Sequence, residues 1–294
     1  MGRERACAIV VLYHPNVAVL AQLAQGLRGH RLIAVANGPI SVEATGALAQ
    51  ADLRLEVNPV NLGLGAALDQ GMRVAAEEGF SQALLLDQDS EPSLGLLEAL
   101  WARGRRLSEE GARAGVVAPR LTPPTEGHYR PISYAWRRGR SLAGCVPVDF
   151  APTSGSLTNL TAYAEVGPFR RDFFIGGVDV EWGFRAWSQQ WGSYVVSDLA
   201  MPHRWGEATS TNEAGKPQIL RHSPVRNYYY ARNVVATARL PHVPARWRAV
   251  SLTMLVAQIG LLVLRGAPGA LRPIRAGLRD GLTGRLGPAP EPLT

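Results

Sequence analysis

Two acidic side chains one residue apart, Asp87 and Asp89, are the strongest candidates for chemistry in this chain. They follow the apolar run 83–86, which is typical of a buried parallel strand. Open α/β sheets bind ligands beyond the carboxyl ends of their strands, so the pair is predicted to lie at a binding site. Neighbouring carboxylates repel each other unless a cation lies between them, and oxygen ligands suit Mg²⁺ or Mn²⁺ carrying phosphates. The alternative interpretation is a strand end followed by a helix cap, with Pro92 in the first turn.

The composition is that of a folded protein. The chain has 294 residues, 46% of them apolar and 19% charged, which suffices for one large domain or two small ones. The net charge of +7 comes almost wholly from arginine, because Lys216 is the only lysine. No zinc-ligand spacing, helix-turn-helix or RNA-binding signature accompanies this charge, so no nucleic-acid partner is predicted.

The cysteines and the first apolar run indicate a cytoplasmic protein. Cys7 and Cys145 lie far apart in sequence and form no metal or redox motif, which fits a reducing compartment. The apolar run 6–13 is too short to span a bilayer and has no signal-peptide pattern. We therefore expect the folded part of the chain to remain in the cytosol.

The first third of the chain alternates strand and helix patterns. The predicted strands are 7–12, 32–36, 53–57 and 82–86, and the predicted helices are 17–27 and 62–78. This order is typical of an α/β fold with a parallel sheet and helices on both of its faces. A later strand is predicted at 194–197.

Polar or turn residues follow these strands and are expected to line one edge of the sheet. The candidates are Tyr13, His14, Asn37, Asn61 and Asp87. The glycines Gly63 and Gly65 would let a ligand approach the backbone at the start of the next helix, where amide dipoles favour anions. The dinucleotide-binding fingerprint Gly-x-Gly-x-x-Gly is not matched, because Leu68 occupies the third position.

Several motifs in one order resemble family 2 of the glycosyltransferases. They are Tyr-His-Pro at 13–15, Asn-Gly at 37–38, Asn-x-Gly-x-Gly-x-Ala at 61–67 and Leu-Asp-Gln-Asp-Ser at 86–90. The resemblance continues through Thr-Ser-Gly-Ser at 153–156, Asp-Val-Glu-Trp at 179–182, Arg185, His203 and Arg-x-x-Tyr-x-x-Arg-Asn at 226–233. The Asp-Gln-Asp form is similar to the bacterial rhamnosyltransferase branch. Together the motifs are far more specific than any one of them.

The resemblance implies the GT-A fold, a nucleotide-diphospho-sugar transferase fold with a mainly parallel sheet flanked by helices. Residues 1–240 would form the catalytic domain, with a nucleotide-sugar-binding half at 1–120 and an acceptor-binding half at 121–240. Residues 241–294 would form a helical, arginine-rich C-terminal extension.

On the donor side, the resemblance implies a nucleotide next to a metal ion. Tyr13 and His14 would border the nucleoside, and Asp87 and Asp89 would face the metal and the diphosphate. His203 would complete the metal site, because imidazole suits manganese; the alternative is a structural histidine. The other expected nucleotide contacts are Asn37, Asn61, Gly63, Gly65, Gln88, Arg226 and Arg232. The two arginines would neutralise a diphosphate or pair with acids of the sheet domain.

On the acceptor side, an inverting transfer needs a carboxylate that takes the proton of the attacking hydroxyl. Asp179 matches the base position of the family. Glu181 is a lesser candidate that would orient an acceptor hydroxyl or an arginine, and Trp182 would stack under a sugar or pack in the core. A polar turn near the acceptor is expected at Thr153, Ser154 and Gly155. The alternative for the two acids is a capped helix start.

The implied reaction is transfer of L-rhamnose from dTDP-L-rhamnose in cell-envelope polysaccharide synthesis, with Mg²⁺ or Mn²⁺ as cofactor. The acceptor would be a saccharide or a polyprenyl-diphosphate-linked saccharide. Ala36 stands where family 2 often has aspartate, which leaves the nucleotide open. The alternatives are a galactofuranosyl or other hexosyl transferase that uses a UDP-sugar, a non-catalytic nucleotide-sugar-binding protein, and a nucleotidyltransferase.

Beyond residue 240 the chain becomes apolar and rich in arginine. Residues 249–264 carry no charge. The flanking and following residues are Arg246, Trp247, Arg248, Arg265, Arg272, Arg275, Arg279 and Arg285. Because the run is shorter than the roughly 20 residues of a spanning helix, it predicts peripheral attachment to the cytoplasmic face of the inner membrane. The competing interpretation is a helix pair that packs on the catalytic domain or on a second subunit of a homodimer.

Overall fold

The computed structural model describes residues 5–122, 136–203, 223–264 and 268–291. Its strands are β1 (Ala6–Leu12), β2 (Arg31–Ala36), β3 (Asp52–Val57), β4 (Gln82–Asp87), β5 (Ala114–Thr122), β6 (Cys145–Val148), β7 (Ser156–Asn159) and β8 (Gly192–Pro202). Its helices are α1 (Val17–Gly26), α2 (Val42–Ala47), α3 (Leu64–Glu77), α4 (Leu96–Glu109), α5 (Leu160–Val166), α6 (Val178–Ser188), α7 (Pro224–Ala238), α8 (Ala245–Leu264) and α9 (Pro268–Thr283). A 3₁₀ turn covers Arg171–Phe173.

The strands form one sheet with a parallel half and a mixed half. Its order is β3-β2-β1-β4-β7-β5-β8-β6. Strands β1 to β4 run parallel, whereas β7 is antiparallel to both β4 and β5. At the far side β5 and β8 are parallel, and β6 pairs antiparallel with β8. The expected α/β fold with a mainly parallel, helix-flanked sheet is confirmed.

The apolar runs form central strands because side chains on both faces of the sheet are buried. On one face Val10 and Leu86 pack under α1 and α4, and on the other Ile9 and Leu85 pack under α3 and α6. The predicted elements of the first third agree with the observed ones within two residues. The sequence prediction missed α2, whose six residues contain one buried side chain, Ala44, and therefore show no apolar period.

The expected C-terminal helical extension is present and packs on α7. Leu255 of α8 contacts the cluster that Ala231 and Val235 of α7 form with Ile274 of α9. Helix α9 lies so close to α7 that a Cβ atom at Gly277 would be 2.3 Å from the carbonyl oxygen of Tyr228. Arg265, one of the residues expected to flank the apolar run, lies outside the described residues.

Candidate functional site

Strand pairing brings the predicted donor-side residues to one edge of the sheet. Because β1 lies between β2 and β4 in parallel register, Val11 is opposite Asp87 and Leu12 is opposite Ala36. The residues that follow these strand ends therefore meet at the carboxyl edge. His203 reaches the same edge from β8, where its amide continues the pairing with β5 by donating to the Thr122 carbonyl at 2.8 Å.

Asp87, Asp89 and His203 form a cluster that could hold a metal ion. One ligand atom from each residue lies within 4.8 Å of the other two. The imidazole Nε2 is 3.9 Å from a carboxylate oxygen of Asp87, and Nδ1 is 3.2 Å from the Ser154 hydroxyl. Burial lowers the pKa of His203, which favours the neutral ring that binds metals. Two carboxylates and an imidazole fit Mn²⁺, and the carboxylates fit Mg²⁺.

The cluster carries an excess of negative charge. Burial, followed by the carboxylates of Asp89 and Asp179, raises the pKa of Asp87 to about 7, although 38% of its side chain remains exposed. The Arg226 guanidinium acts in the opposite direction and lowers that pKa. A divalent cation bound here would relieve the repulsion between the acids.

The hydroxyl groups of Ser90 and Ser154 make hydrogen-bonding contacts with the residues that could hold the metal ion. The Ser90 hydroxyl accepts a hydrogen bond from the Asp87 amide at 3.1 Å and lies 2.9 Å from the Ser154 hydroxyl. The Ser154 hydroxyl also contacts His203, so the polar turn that contains Ser154 is in direct contact with the cluster. Gly155 has φ +79°, and a Cβ atom there would lie 2.8 Å from the Met201 methyl carbon. Ser90 was not among the sequence candidates, although it ends the Asp-Gln-Asp-Ser motif.

Gln88 links the loop after β4 to the loop after β1. Its side-chain oxygen accepts from the Tyr13 amide at 2.8 Å, and its nitrogen donates to the Tyr13 carbonyl at 3.1 Å. The Tyr13 ring is half-exposed and lies edge-on to His14, with ring centroids 4.3 Å apart. An exposed ring pair at this edge is suited to stacking against a base or a sugar.

Asn37, Gly63 and Gly65, which were expected to contact the nucleotide, make close contacts within the protein. The buried Asn37 amide donates to the Asn61 side-chain oxygen at 2.9 Å and to the Gly63 carbonyl at 3.1 Å, so it shapes the following loop. A Cβ atom at Gly63 would lie 2.8 Å from Phe174, and one at Gly65 would lie 2.5 Å from the Arg170 carbonyl oxygen. The glycines thus allow close packing of the start of α3 against the segment that contains Arg170 and Phe174.

Asp179 lies at the start of α6, close to the metal cluster. Gly177 precedes the helix in a left-handed conformation, and an oxygen of Asp179 accepts from the Val180 amide at 2.9 Å. Burial raises the pKa of Asp179, which makes the carboxylate a stronger base than a solvated one. Its charge also raises the pKa of Asp87, so the two carboxyl groups are near each other. Asp179 lines a small cavity with Thr153 and Ser193, and apolar side chains such as Leu85 form much of its wall.

Glu181 and Trp182 are part of the core, which corrects their expected contacts with an acceptor. Glu181 is 1% exposed and binds the Arg185 guanidinium through both oxygens at 2.9 Å. Its oxygen also lies 3.1 Å from Nε2 of His242. Trp182 is 2% exposed and donates from Nε1 to the Gly167 carbonyl at 3.0 Å. Of the alternatives raised by the sequence, an arginine partner for Glu181 and core packing for Trp182 match these contacts.

Replacing Glu181 by glutamine is expected to lower stability more than activity. The change removes the charge of a buried ion pair and leaves the Arg185 guanidinium short of its partner. We expect a loss of about 2 kcal/mol in the free energy of unfolding, because breaking one side of a buried pair leaves an uncompensated charge. Denaturant titration would measure this loss. A fall in kcat with unchanged stability would instead assign Glu181 to the reaction.

The two arginines of the α7 motif have different surroundings. Arg226 is exposed at the start of α7, and its charge reaches Asp87. Arg232 is fully buried and donates to the Phe173 carbonyl at 2.7 Å and to the Gly287 carbonyl at 2.5 Å. Arg226 is therefore available to a diphosphate. The Arg232 donors instead bind backbone oxygens and the Asn233 side-chain oxygen, surroundings that do not fit its expected role as a phosphate ligand.

Comparison with known sequences gives one informative similarity. No family model matches the chain. A curated relative, the dTDP-rhamnosyl transferase RfbF of Shigella flexneri, is 26% identical over 246 residues, which cover 81% of each chain. This similarity extends well beyond the sheet edge that carries the candidate site.

Comparison with solved structures agrees with the fold. A crystal structure of S. aureus TarS 1-349 in complex with UDP-GlcNAc matches with a TM-score of 0.60 at 12% identity, covering 95% of this chain and 81% of TarS 1-349. A structure of GalNAc-T7 with UDP, GalNAc and Mn²⁺ matches with a TM-score of 0.54 at 11% identity, covering 90% of this chain and 58% of that one. The expected resemblance to glycosyltransferases of GT-A fold is confirmed.

Proposed function

From its GT-A glycosyltransferase fold and its similarity to a rhamnosyltransferase, we propose that this protein is an inverting, metal-dependent rhamnosyltransferase. It moves L-rhamnose from dTDP-L-rhamnose to a saccharide or a lipid-linked saccharide during cell-envelope polysaccharide synthesis. The observation that carries the proposal is the Asp87, Asp89 and His203 cluster together with the partly buried carboxyl group of Asp179, whose charge reaches Asp87. The donor half at 1–120 and the acceptor half at 121–240 each contribute to this edge.

In the proposed reaction, Asp179 takes the proton of the acceptor hydroxyl. The oxygen freed in this way attacks the anomeric carbon from the side opposite the diphosphate, and the bond between that carbon and the diphosphate breaks with inversion. The partly buried position of Asp179 supports this role, because desolvation raises the pKa of its carboxyl group and strengthens it as a base. Tyr13 and His14 border the nucleoside, and Gln88 keeps Tyr13 in place.

The leaving diphosphate is stabilised from two sides. Asp87, Asp89 and His203 would hold a divalent cation, which supplies Lewis-acid stabilisation of the departing phosphate charge when bound. Arg226 adds a guanidinium at the same edge. The mixed oxygen and nitrogen donors support Mn²⁺, and GalNAc-T7, a structural neighbour, was solved with Mn²⁺.

A UDP-sugar donor is the second candidate. The structural neighbours TarS and GalNAc-T7 were solved with UDP-GlcNAc and with UDP, respectively. Because they share 12% identity or less with this chain, their likeness supports the fold and not the nucleotide. The curated relative supports dTDP-rhamnose more directly, since the similarity lies in the sequence itself.

The reaction can be tested by donor turnover. The purified protein would be incubated with Mn²⁺, a rhamnose-containing acceptor panel, and either dTDP-L-rhamnose or UDP-sugars. We expect dTDP release that depends on acceptor and metal, and a product whose new glycosidic bond has the anomeric configuration opposite to the donor. Retention of configuration, or release from UDP-sugars alone, would contradict the rhamnosyltransferase proposal.

We also propose peripheral attachment to the cytoplasmic face of the inner membrane through α8 and α9. Among the described helices, α8 alone is long and apolar enough to cross a membrane, with a mean hydropathy of 1.7. Its outward side chains include the exposed Leu252, Val256 and Val263, with no charge between residues 249 and 264. An uncharged outer face of this length is unusual for a helix in water.

Two contacts favour a helix that lies on the membrane over one that spans it. Leu255 packs α8 against α7 and α9, and α9, which is separated from α8 by three residues, packs on α7 in turn. The exposed arginines Arg272 and Arg275 stand on one face of α9, where anionic lipid would attract them. In a pair of copies joined through this surface, the arginines of both copies would add like charge, which disfavours the homodimer.

Flotation with vesicles tests this attachment. We expect binding to vesicles that contain phosphatidylglycerol and loss of binding in Val256→Glu and Val263→Glu, because a buried charge at the lipid boundary is costly. Replacing Arg272 and Arg275 by glutamine would weaken binding roughly 30-fold, at about 1 kcal/mol per arginine. The control is Val42→Glu, an exposed valine on α2. Equal flotation of all variants, or a dimer that α8 variants dissociate, would contradict the proposal.

A further inference from the structure

The loop that leads into the base helix, residues 173–177, has a strained backbone. Phe174 has φ +63° and ψ −65°, a conformation that side-chain-bearing residues rarely adopt. Its carbonyl accepts from the Leu64 amide at the start of α3, at 2.5 Å. Strained residues persist only where surrounding contacts hold them, and such residues cluster at functional sites. The loop ends two residues before Asp179.

The side chain of Asn233, on α7, binds carbonyl oxygens of this loop. The side-chain nitrogen lies 3.0 Å from the Phe173 oxygen, 2.9 Å from that of Ile175 and 2.8 Å from that of Gly176. Asn233 is 3% exposed, so its side-chain nitrogen donates to these backbone oxygens and not to water. These three contacts to one loop fix its path as far as Gly176, the residue before Gly177.

Arg232 and the segment after α9, residues 284–291, complete the contact. Arg232 donates to the Phe173 carbonyl and to the Gly287 carbonyl, which joins the loop to that segment. The Gly287 amide donates to the Asp172 carbonyl at 2.6 Å. The Tyr229 ring stacks on Phe174 with centroids 5.2 Å apart. The Tyr229 hydroxyl accepts from the Ala289 amide at 2.7 Å.

We propose that Arg232, Asn233 and residues 287–289 form a clamp that positions the catalytic base, and the inference rests on the proposed role of Asp179. The clamp holds loop 173–177 and therefore the first turn of α6, which carries Asp179. Asn233 and Arg232 are positioning residues, because their side-chain donors bind oxygens of the protein: carbonyl oxygens between residues 172 and 176, the Gly287 carbonyl and, from Arg232 Nε, the Asn233 side-chain oxygen. The segment after α9 thereby becomes part of the active-site architecture.

The clamp also joins the base to the donor side. The Phe174 carbonyl binds the first amide of α3, and a Cβ atom at Gly63 would meet the Phe174 backbone at 2.8 Å. The loop is thus packed between the nucleotide half and α7. A displacement of about 1 Å at the base can lower a rate about 100-fold, since proton transfer requires close alignment. Small losses in the clamp are therefore expected to appear in kcat.

The test is a double-mutant cycle between Asn233 and Asp179 in the full-length protein. We expect Asn233→Ala to lower kcat about 10- to 100-fold while the affinity and the stoichiometry of Mn²⁺-dependent nucleotide binding stay within about twofold. In the Asp179→Asn background, Asn233→Ala should cause no further loss of the residual rate, because a residue that acts through Asp179 has nothing left to position.

The matched control is Arg239→Met, at the residue that directly follows α7. Arg239 donates to the Leu282 carbonyl at 2.8 Å and does not contact loop 173–177, so kcat should stay within about twofold. If Asn233→Ala does not fold, Tyr229→Phe replaces it, since that change removes only the bond to the Ala289 amide; it should lower kcat several-fold.

Three results would overturn the clamp. The first is an equal loss of kcat from Asn233→Ala in the unmodified protein and in Asp179→Asn. The second is a fall in the stoichiometry of nucleotide binding that matches the fall in kcat. The third, where Tyr229→Phe is the variant used, is an unchanged kcat. Full activity of Asp179→Asn would instead refute the proposed base, and with it the reaction to which the clamp refers.

Discussion

Replacing Asp179 by asparagine is expected to lower kcat about 10²- to 10⁴-fold, the usual contribution of a general base. Asparagine has nearly the same shape, so the contact with the Val180 amide can persist while the proton acceptor is lost. Because the base acts mainly in the transition state, the affinity for the nucleotide should change less than about twofold. Steady-state transfer rates and nucleotide titration on the same preparations would measure both quantities.

Glu181 provides a matched control for this substitution. It lies two residues further along α6, but its carboxylate binds Arg185 in the core. Glu181→Gln should therefore lower stability and leave kcat of the folded protein nearly unchanged, the reverse of the result at Asp179. Equal turnover of Asp179→Asn and the unmodified protein would remove Asp179 from the reaction.

Replacing Asp89 by asparagine is expected to weaken Mn²⁺-dependent nucleotide binding at least about 100-fold. Loss of a residue that hydrogen-bonds to a metal ligand commonly lowers the metal affinity about 10- to 100-fold. Loss of a direct ligand is expected to lower it by at least as much. The amide keeps an oxygen but removes the charge that attracts the cation. Calorimetric titration with and without Mn²⁺ would separate the metal-dependent part of the affinity from the rest.

The control for Asp89 is Asp52→Asn, at the start of β3. Asp52 pairs with Arg31 near the amino ends of the strands, the opposite edge from the cluster. Its replacement should leave nucleotide binding unchanged with and without metal. Identical behaviour of the two variants would show that the carboxylate of Asp89 is not a ligand.

The donor edge was predictable because parallel strands place their carboxyl ends together. The position of Asp87 after an apolar run sufficed to predict its strand end, and the structure brings Asp89 and His203 to the same point. The pairing of β5 with β8, which delivers His203, joins residues about 80 positions apart and leaves no local pattern in the sequence. The family resemblance supplied that histidine.

Residues with two chemically reasonable environments were the harder cases. Arg232 has the same side chain as Arg226, and only the path of α7 decides that one faces the site and the other is buried. A glycine such as Gly63 suits either an anion-binding loop or a close contact between backbones. The packing of Phe174 against Gly63 gives the close contact. Burial of this kind depends on tertiary contacts, which residue type and spacing do not contain.

The most direct test is calorimetric titration of the protein with dTDP, UDP and GDP, each with and without Mn²⁺. We expect dTDP to bind at least about tenfold more tightly than UDP or GDP, and only when Mn²⁺ is present, because its diphosphate would meet the metal held by Asp87, Asp89 and His203. A preference for UDP would transfer the proposal to a UDP-sugar donor. Nucleotide binding that is absent, or that is the same without metal, would contradict a metal-dependent glycosyltransferase.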